Sequence, residues 1–141
     1  MGKFVIVADD QQPIRQMLKM SLEHMGYEVA CAGDGRELLR LARERRPDLV
    51  ITDVMMPEMT GYEALEEMRG DLGAGGFAGV PVIVLTALEE ASYQEKSALL
   101  GACEHLVKPI SLVVLKSKVK RLLEEGAGRV EENFKKDGQG G

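Results

Sequence analysis

The stretch "FVIVADDQQPIRQMLKMSLEHMGYEVACA", residues 4 to 32, decides the fold, because it joins two apolar runs through one helical period. "FVIVA" (4 to 8) reads as a buried strand. After it, Ile14, Met17, Leu18, Leu22 and Met25 fall on one face of a helix that Gly26 stops. "YEVACA" (27 to 32) reads as a second strand, and its alternation places it at a sheet edge. A strand, a helix and a strand in that order make one right-handed parallel crossover.

The unit repeats along the chain. "DLVIT" (48 to 52), "PVIVLT" (81 to 86) and "EHLVK" (104 to 108) supply three more strands, the first two apolar on both faces as interior parallel strands are. "GDGRELLRLARERRP" offers Asp34 as an N-cap, Leu38, Leu39 and Ala42 as an inner stripe, a basic "RERR" end (43 to 46) matched to the helix dipole, and Pro47 as terminator. "TGYEALEEMRG" opens with Thr60 and carries Glu63 three positions on, the pattern of a capping box. Helices are also expected over 89 to 100, ended by Gly101, and over 111 to about 125, entered at Ser111. Five alternations predict an α/β fold: a flavodoxin-like, doubly wound, five-stranded parallel sheet in strand order 2-1-3-4-5 with five helices. One domain is expected over residues 1 to 125. The five-glycine stretch "GDLGAGGFAGV" (70 to 80) reads as a loose connection, and residues 126 to 141 as a glycine-rich, disordered tail.

Composition narrows the function. Hydrophobic residues at 45% and charged residues at 29% suit a globular core, and aromatics at 4% leave that core to aliphatic side chains. A net charge of −5 argues against direct nucleic-acid binding and against an anionic membrane surface. The apolar run before Asp9 is too short for a signal sequence, and no window approaches the roughly 20 residues of a membrane span, so a cytoplasmic location is expected. Cys31 and Cys103, lacking metal-site spacing and falling near opposite sheet edges, are expected to be free thiols. Met55, Met56 and Met59 read as packing residues rather than a copper site, and His24 carries no functional reading.

Open parallel sheets bind ligands beyond the carboxyl ends of their strands. The residues there are Asp9 and Asp10 after the first strand, Asp53 after the third, Thr86 at the end of the fourth and Lys108 after the fifth. Three carboxylates gathered at one rim repel each other, and a divalent cation relieves the crowding. Oxygen donors without Cys or His favour Mg²⁺, with Mn²⁺ as the alternative. A carboxylate nucleophile beside a metal, an ammonium and a hydroxyl suits phosphoryl transfer. Asp53, alone after a central strand, is the natural acceptor, with Lys108 and Thr86 contacting the transferred group.

These motifs, "VADDQQPIR", "LVITDVMMPEMTGYE", "VIVLTAL" and "HLVKPIS", resemble those of a response-regulator receiver domain of two-component signalling, over roughly residues 3 to 125. The resemblance implies phosphotransfer from a sensor histidine kinase, a phosphotransfer protein or a small acyl phosphate onto Asp53. It implies Mg²⁺ held by Asp10, by Asp9 partly through water, by Asp53 and by the Met55 backbone carbonyl, and a cis peptide before Pro109. It further implies a switch in which Thr86 and the residue three before Lys108 re-pack the face built from the helix over 89 to 100, the strand over 104 to 108 and the helix over 111 to 125. That residue is His105, where the family usually has Tyr or Phe. Met55 and Leu88, at the positions flanking the path of hydrolytic water, cannot orient it, so a long-lived phosphoryl group is expected. Output is expected through a downstream protein or a self-dimer. A haloacid-dehalogenase-type phosphatase places its nucleophile in an Asp-x-Asp motif after the first strand, unlike the adjacent pair here. A receiver-like module working without phosphorylation is the remaining alternative.

Overall fold

The computed structural model describes residues 2–71, 79–87 and 104–125. Five strands form one sheet: β1 (Phe4–Ala8), β2 (Glu28–Ala32), β3 (Leu49–Asp53), β4 (Val82–Thr86) and β5 (Glu104–Val107). Their order is β2-β1-β3-β4-β5, and every neighbouring pair is parallel. The flavodoxin-like arrangement expected from the alternation is therefore present. Burial follows it: β1, β3 and β4 are buried along their whole length, whereas β2 and β5 at the edges are partly open.

Four helices complete the described structure: α1 (Gln12–His24), α2 (Gly35–Glu44), α3 (Gly61–Asp71) and α4 (Leu112–Lys120). Of the loose connection expected over 70 to 80, Gly70 and Asp71 instead extend α3, and residues 72 to 78, together with the helix expected over 89 to 100, Leu88, Cys103 and the tail from Gly126, lie outside the described residues. Helix starts obey local chemistry. The Asp34 carboxylate accepts the Glu37 amide at 2.8 Å, and the Ser111 hydroxyl accepts the Val114 amide at 3.3 Å. Thr60 and Glu63 form the reciprocal box, each side chain accepting the other's backbone N–H, at 2.8 and 3.1 Å. Gly26, at φ 97°, follows the end of α1.

The final helix departs from the sequence expectation. It is α-helical only to Lys120 and widens into a π-turn over Arg121–Glu125. The widened turn keeps Leu122 and Leu123 both buried while the Glu124 carboxylate accepts the Tyr27 hydroxyl at 2.6 Å. The Arg45 guanidinium is exposed, as a solvated helix end should be, and in addition lies 4.2 Å from the Phe4 ring centroid and pairs with Glu28 at 2.9 Å.

Strand alternation splits the core into two layers. Ile6, Val50, Val82 and Val84 meet Leu38 of α2 and Leu65 and Met68 of α3 on one side. Val7, Ile51, Ile83 and Leu85 meet Leu18 and Leu22 of α1 and Leu115 and Val119 of α4 on the other. Each fully buried aliphatic side chain contributes about 1.5–3 kcal/mol, so the sheet is held from both faces and its strand ends are fixed in register. Cys31, on edge strand β2, is a free, half-buried thiol that burial pushes above its ordinary pKa.

Candidate functional site

Register brings the strand ends together. Ala8 pairs with Thr52, Asp53 with Leu85, and Thr86 with Val107, so the residues that end or follow four of the strands share one rim. Asp53 is the last residue of β3 rather than the first residue beyond it, which keeps its backbone inside the sheet. Asp9 is fully buried, Asp53 is 6% and Thr86 3% exposed, while Asp10 lies open to solvent. Ligand oxygens of Asp9, Asp10 and Asp53 all lie within 4.8 Å of one another.

Lys108 crosses from β5 to close the group. Its Nζ donates to Asp9 Oδ2 at 2.9 Å and to Asp53 Oδ2 at 3.3 Å. The backbone N–H of Lys108 donates to the Thr86 carbonyl at 2.7 Å, and the Lys108 to Pro109 peptide bond is cis. The remaining Asp9 oxygen accepts the Gln11 amide at 2.9 Å, and the Asp9 carbonyl accepts Arg15 at 2.8 Å. Asp9 is thus locked, whereas Asp10 faces a cleft of about 260 Å³ shared with Asp53, Met55, Thr86 and Lys108.

The electrostatics are unbalanced. Burial and the neighbouring Asp9 charge push the Asp53 carboxyl above the ordinary aspartate range, against the opposing pull of Lys108 and the Val54 amide. Burial disfavours the Lys108 ammonium, yet the Asp9 hydrogen bond and the charges of Asp53 and Asp9 outweigh it and raise its pKa. One ammonium faces three carboxylates, so negative charge remains in excess. The donor set is all oxygen, compact and open on the Asp10 side, which fits a hard divalent cation.

Two glycines that the sequence reading passed over shape this rim. Gly61 opens α3 directly against Asp53: a Cβ there would overlap the Asp53 carbonyl oxygen and lie 3.0 Å from Thr52 Oγ1. Its N–H donates to the Val54 carbonyl at 3.0 Å. Gly35, at the start of α2, donates its N–H to the Met59 carbonyl at 2.9 Å, and a Cβ there would overlap the same carbonyl. Between them Glu58 takes the left-handed φ of 68°. Only the position of Gly61 at a helix start hinted at this, since a glycine's role depends on what opposes its missing side chain.

The position expected to act as a switch is less connected. His105 lies on β5, paired in register with Val84, and its Nε2 is buried with no hydrogen-bond partner among the described residues. Met55 is 63% exposed at the lip of the cleft.

A parallel sheet in this order with an acidic, lysine-bridged rim defines a doubly wound domain whose Asp9, Asp10 and Asp53 could hold a cation. The family model for the response regulator receiver domain matches residues 5–120, and the chain belongs to that family. It is 38% identical over 119 residues to a probable transcriptional regulator ycf27 of Guillardia theta, covering 84% of this chain and 44% of the relative. To the alkaline phosphatase synthesis transcriptional regulatory protein PhoP of Bacillus subtilis it is 34% identical, covering 87% of this chain and 49% of that protein. The chain spans about half the length of the curated relatives it matches. Among solved structures, the chemotaxis protein CheY4 of Vibrio cholerae superposes with a TM-score of 0.80 at 35% identity, over 87% of this chain and 100% of that one. The receiver domain of the Pseudomonas aeruginosa sensor histidine kinase PA1611, described with a magnesium ion coordinated in its active site cleft, gives 0.77 at 27% identity, over 88% and 99%. This protein is therefore a receiver domain of the two-component response-regulator type. Among the described residues, no helix is long and apolar enough to cross a membrane.

Proposed function

We propose that Asp53 is a phosphoacceptor, charged by the phosphohistidine of a sensor kinase or phosphotransfer protein, or by a small acyl phosphate. The observation that carries this reading is the bridge from Lys108 to both Asp9 and Asp53 inside a cluster of three carboxylates. In the reaction one Asp53 carboxylate oxygen attacks phosphorus, the P–N or P–O bond to the donor breaks, and the bonding electrons leave with the donor group. The Lys108 ammonium, already 3.3 Å from Asp53, exchanges its carboxylate partner for a phosphoryl oxygen. Thr86 donates its hydroxyl to a second oxygen. Asp9, held by the Gln11 amide and Lys108, keeps the rim negative.

Asp9, Asp10, Asp53 and the Met55 carbonyl would hold Mg²⁺, or Mn²⁺, which when bound supplies positive charge against the phosphoryl oxygens. Movement of Thr86 toward the phosphoryl group re-packs β5 around His105, and the altered surface meets a downstream protein or a second copy of the chain. Folding of residues 1 to 125 as one unit, with residues 126 to 141 as a tail, belongs to the same reading, as does a cytoplasmic setting alongside the kinase.

Incubation with acetyl phosphate and Mg²⁺ followed by intact mass measurement tests the chemistry. Wild type is expected to gain one phosphoryl group, and Asp53→Ala and metal-chelated samples none. Equal labelling of Asp53→Ala would overturn the assignment.

A further inference from the structure

We propose that the furrow between α2 and α3, outside the Asp53 rim, is a docking site for an acidic, amphipathic segment of a partner protein. Arg36, Arg40 and Arg43 stand four and three positions apart, so they share one face of α2. They line a furrow of about 410 Å³ whose apolar floor is Leu39 and Met59.

Each guanidinium is paired within the chain, at the surface. Arg36 lies 3.7 Å from Glu58, Arg43 3.5 Å from Glu67, and Arg40 sits between Glu44 at 2.6 Å and Glu37 at 3.7 Å, with all these side chains about half exposed or more. Exposed pairs of this kind add little to stability, so incoming carboxylates can replace the internal ones at small cost. Arginine also presents a planar fork that holds a carboxylate through two hydrogen bonds.

The charge pattern selects the occupant. In a chain of net charge −5, five arginines fall within residues 36–46, and Arg45 is committed to Glu28 and Phe4. The furrow is the face where Arg36, Arg40 and Arg43 gather. A nucleic acid fits poorly, because its unbroken phosphate charge would meet Glu44 and Glu67 in the same furrow. A protein segment with spaced carboxylates can reach the arginines, avoid the glutamates and set an apolar side chain on Leu39 and Met59. Met59 also reports occupancy, since its carbonyl is tied to the Gly35 amide.

The test is an amide chemical-shift titration of the full chain with a short alanine-based helical peptide carrying glutamates at i, i+4 and i+7 and leucine between them. Saturable shifts are expected on α2, α3 and Met59, weakening as salt rises. Arg40→Gln is expected to reduce affinity, and the Arg36→Gln, Arg40→Gln, Arg43→Gln triple variant to reduce it roughly tenfold or more. These side chains are exposed, and an unchanged amide spectrum elsewhere confirms that the variants fold. Three results would overturn the proposal: no shifts at low salt, equal shifts from a peptide with glutamine in place of glutamate, or shifts on these arginines from oligothymidylate but not from the peptide. No phosphorylation is involved, so the outcome is independent of the role assigned to Asp53.

Discussion

Asp53 sits where two fields oppose each other. Burial and Asp9 favour its neutral form, Lys108 favours its charged form, and the first pair prevails. A carboxyl with a folded pKa above its unfolded value of about 3.9 contributes stability that is fully present below that value and lost as pH rises through the folded one. In chelator at neutral pH, Asp53→Asn should therefore melt above wild type, and the gap should close below about pH 4. Thermal melts across that range check it; a variant less stable than wild type at neutral pH would mean that the attraction of Lys108 outweighs burial. Met55 makes a second residue-scale prediction. It covers the lip without a group that can align water, and with Leu88 it should leave the phosphorylated state long-lived. Replacing both, Met55→Asn with Leu88→Glu, should speed loss of the phosphoryl group by about tenfold or more, followed by mass against time. An unchanged rate removes this explanation. The acidic residues were legible in the chain because each ends or follows an apolar run. Arg15 was not, because its hydrogen bond to the Asp9 carbonyl depends on how α1 leaves the rim.

At the scale of elements, the strands and caps could be read because their causes are local. Asp34, Ser111 and the Thr60–Glu63 box each act within one helical turn. The glycines could not, and α3 contains the contrast. Gly61 and Gly70 both lie in this helix, although the glycine-rich run that begins at Gly70 read as a loose connection. A Cβ at Gly61 would strike the Asp53 carbonyl, whereas one at Gly70 meets nothing within 4 Å. Gly70→Ala should then stabilise by about 0.5–1 kcal/mol through helix propensity alone. Gly61→Ala should destabilise by about 1–3 kcal/mol through overpacking and should lower acceptance of phosphate at Asp53. Urea unfolding of the two variants checks the signs, and a neutral Gly61→Ala would mean that α3 shifts freely away from β3.

For the whole molecule, the closing helix ties the two edges of the sheet. Glu104, at the start of edge strand β5, accepts Lys118 at 2.6 Å and also Arg121, while Glu124 reaches Tyr27 just before the opposite edge strand β2. Burial pushes the Tyr27 phenol far above its ordinary pKa, and the Glu124 carboxylate adds to that, so this link stays intact through neutral pH. No helical period in the sequence announces these ties, because they join residues far apart in the chain, and a period of 3.6 carries no sign of the π-turn that aims Glu124. The Glu104 link is open to acid. Burial works to raise its pKa, but Lys118 and Arg121 prevail and hold the carboxyl below the usual glutamate range. Its contribution is thus present above the unfolded pKa of about 4.3 and is lost as pH falls through the lower folded value. Glu104→Gln should melt below wild type at neutral pH, with the difference shrinking as the pH falls below about 4. If the two proteins keep a constant gap across that range, the Glu104 contribution is one of shape rather than charge, and the apolar contacts of Leu115, Val119, Leu122 and Leu123 outweigh it in holding the C-terminal helix.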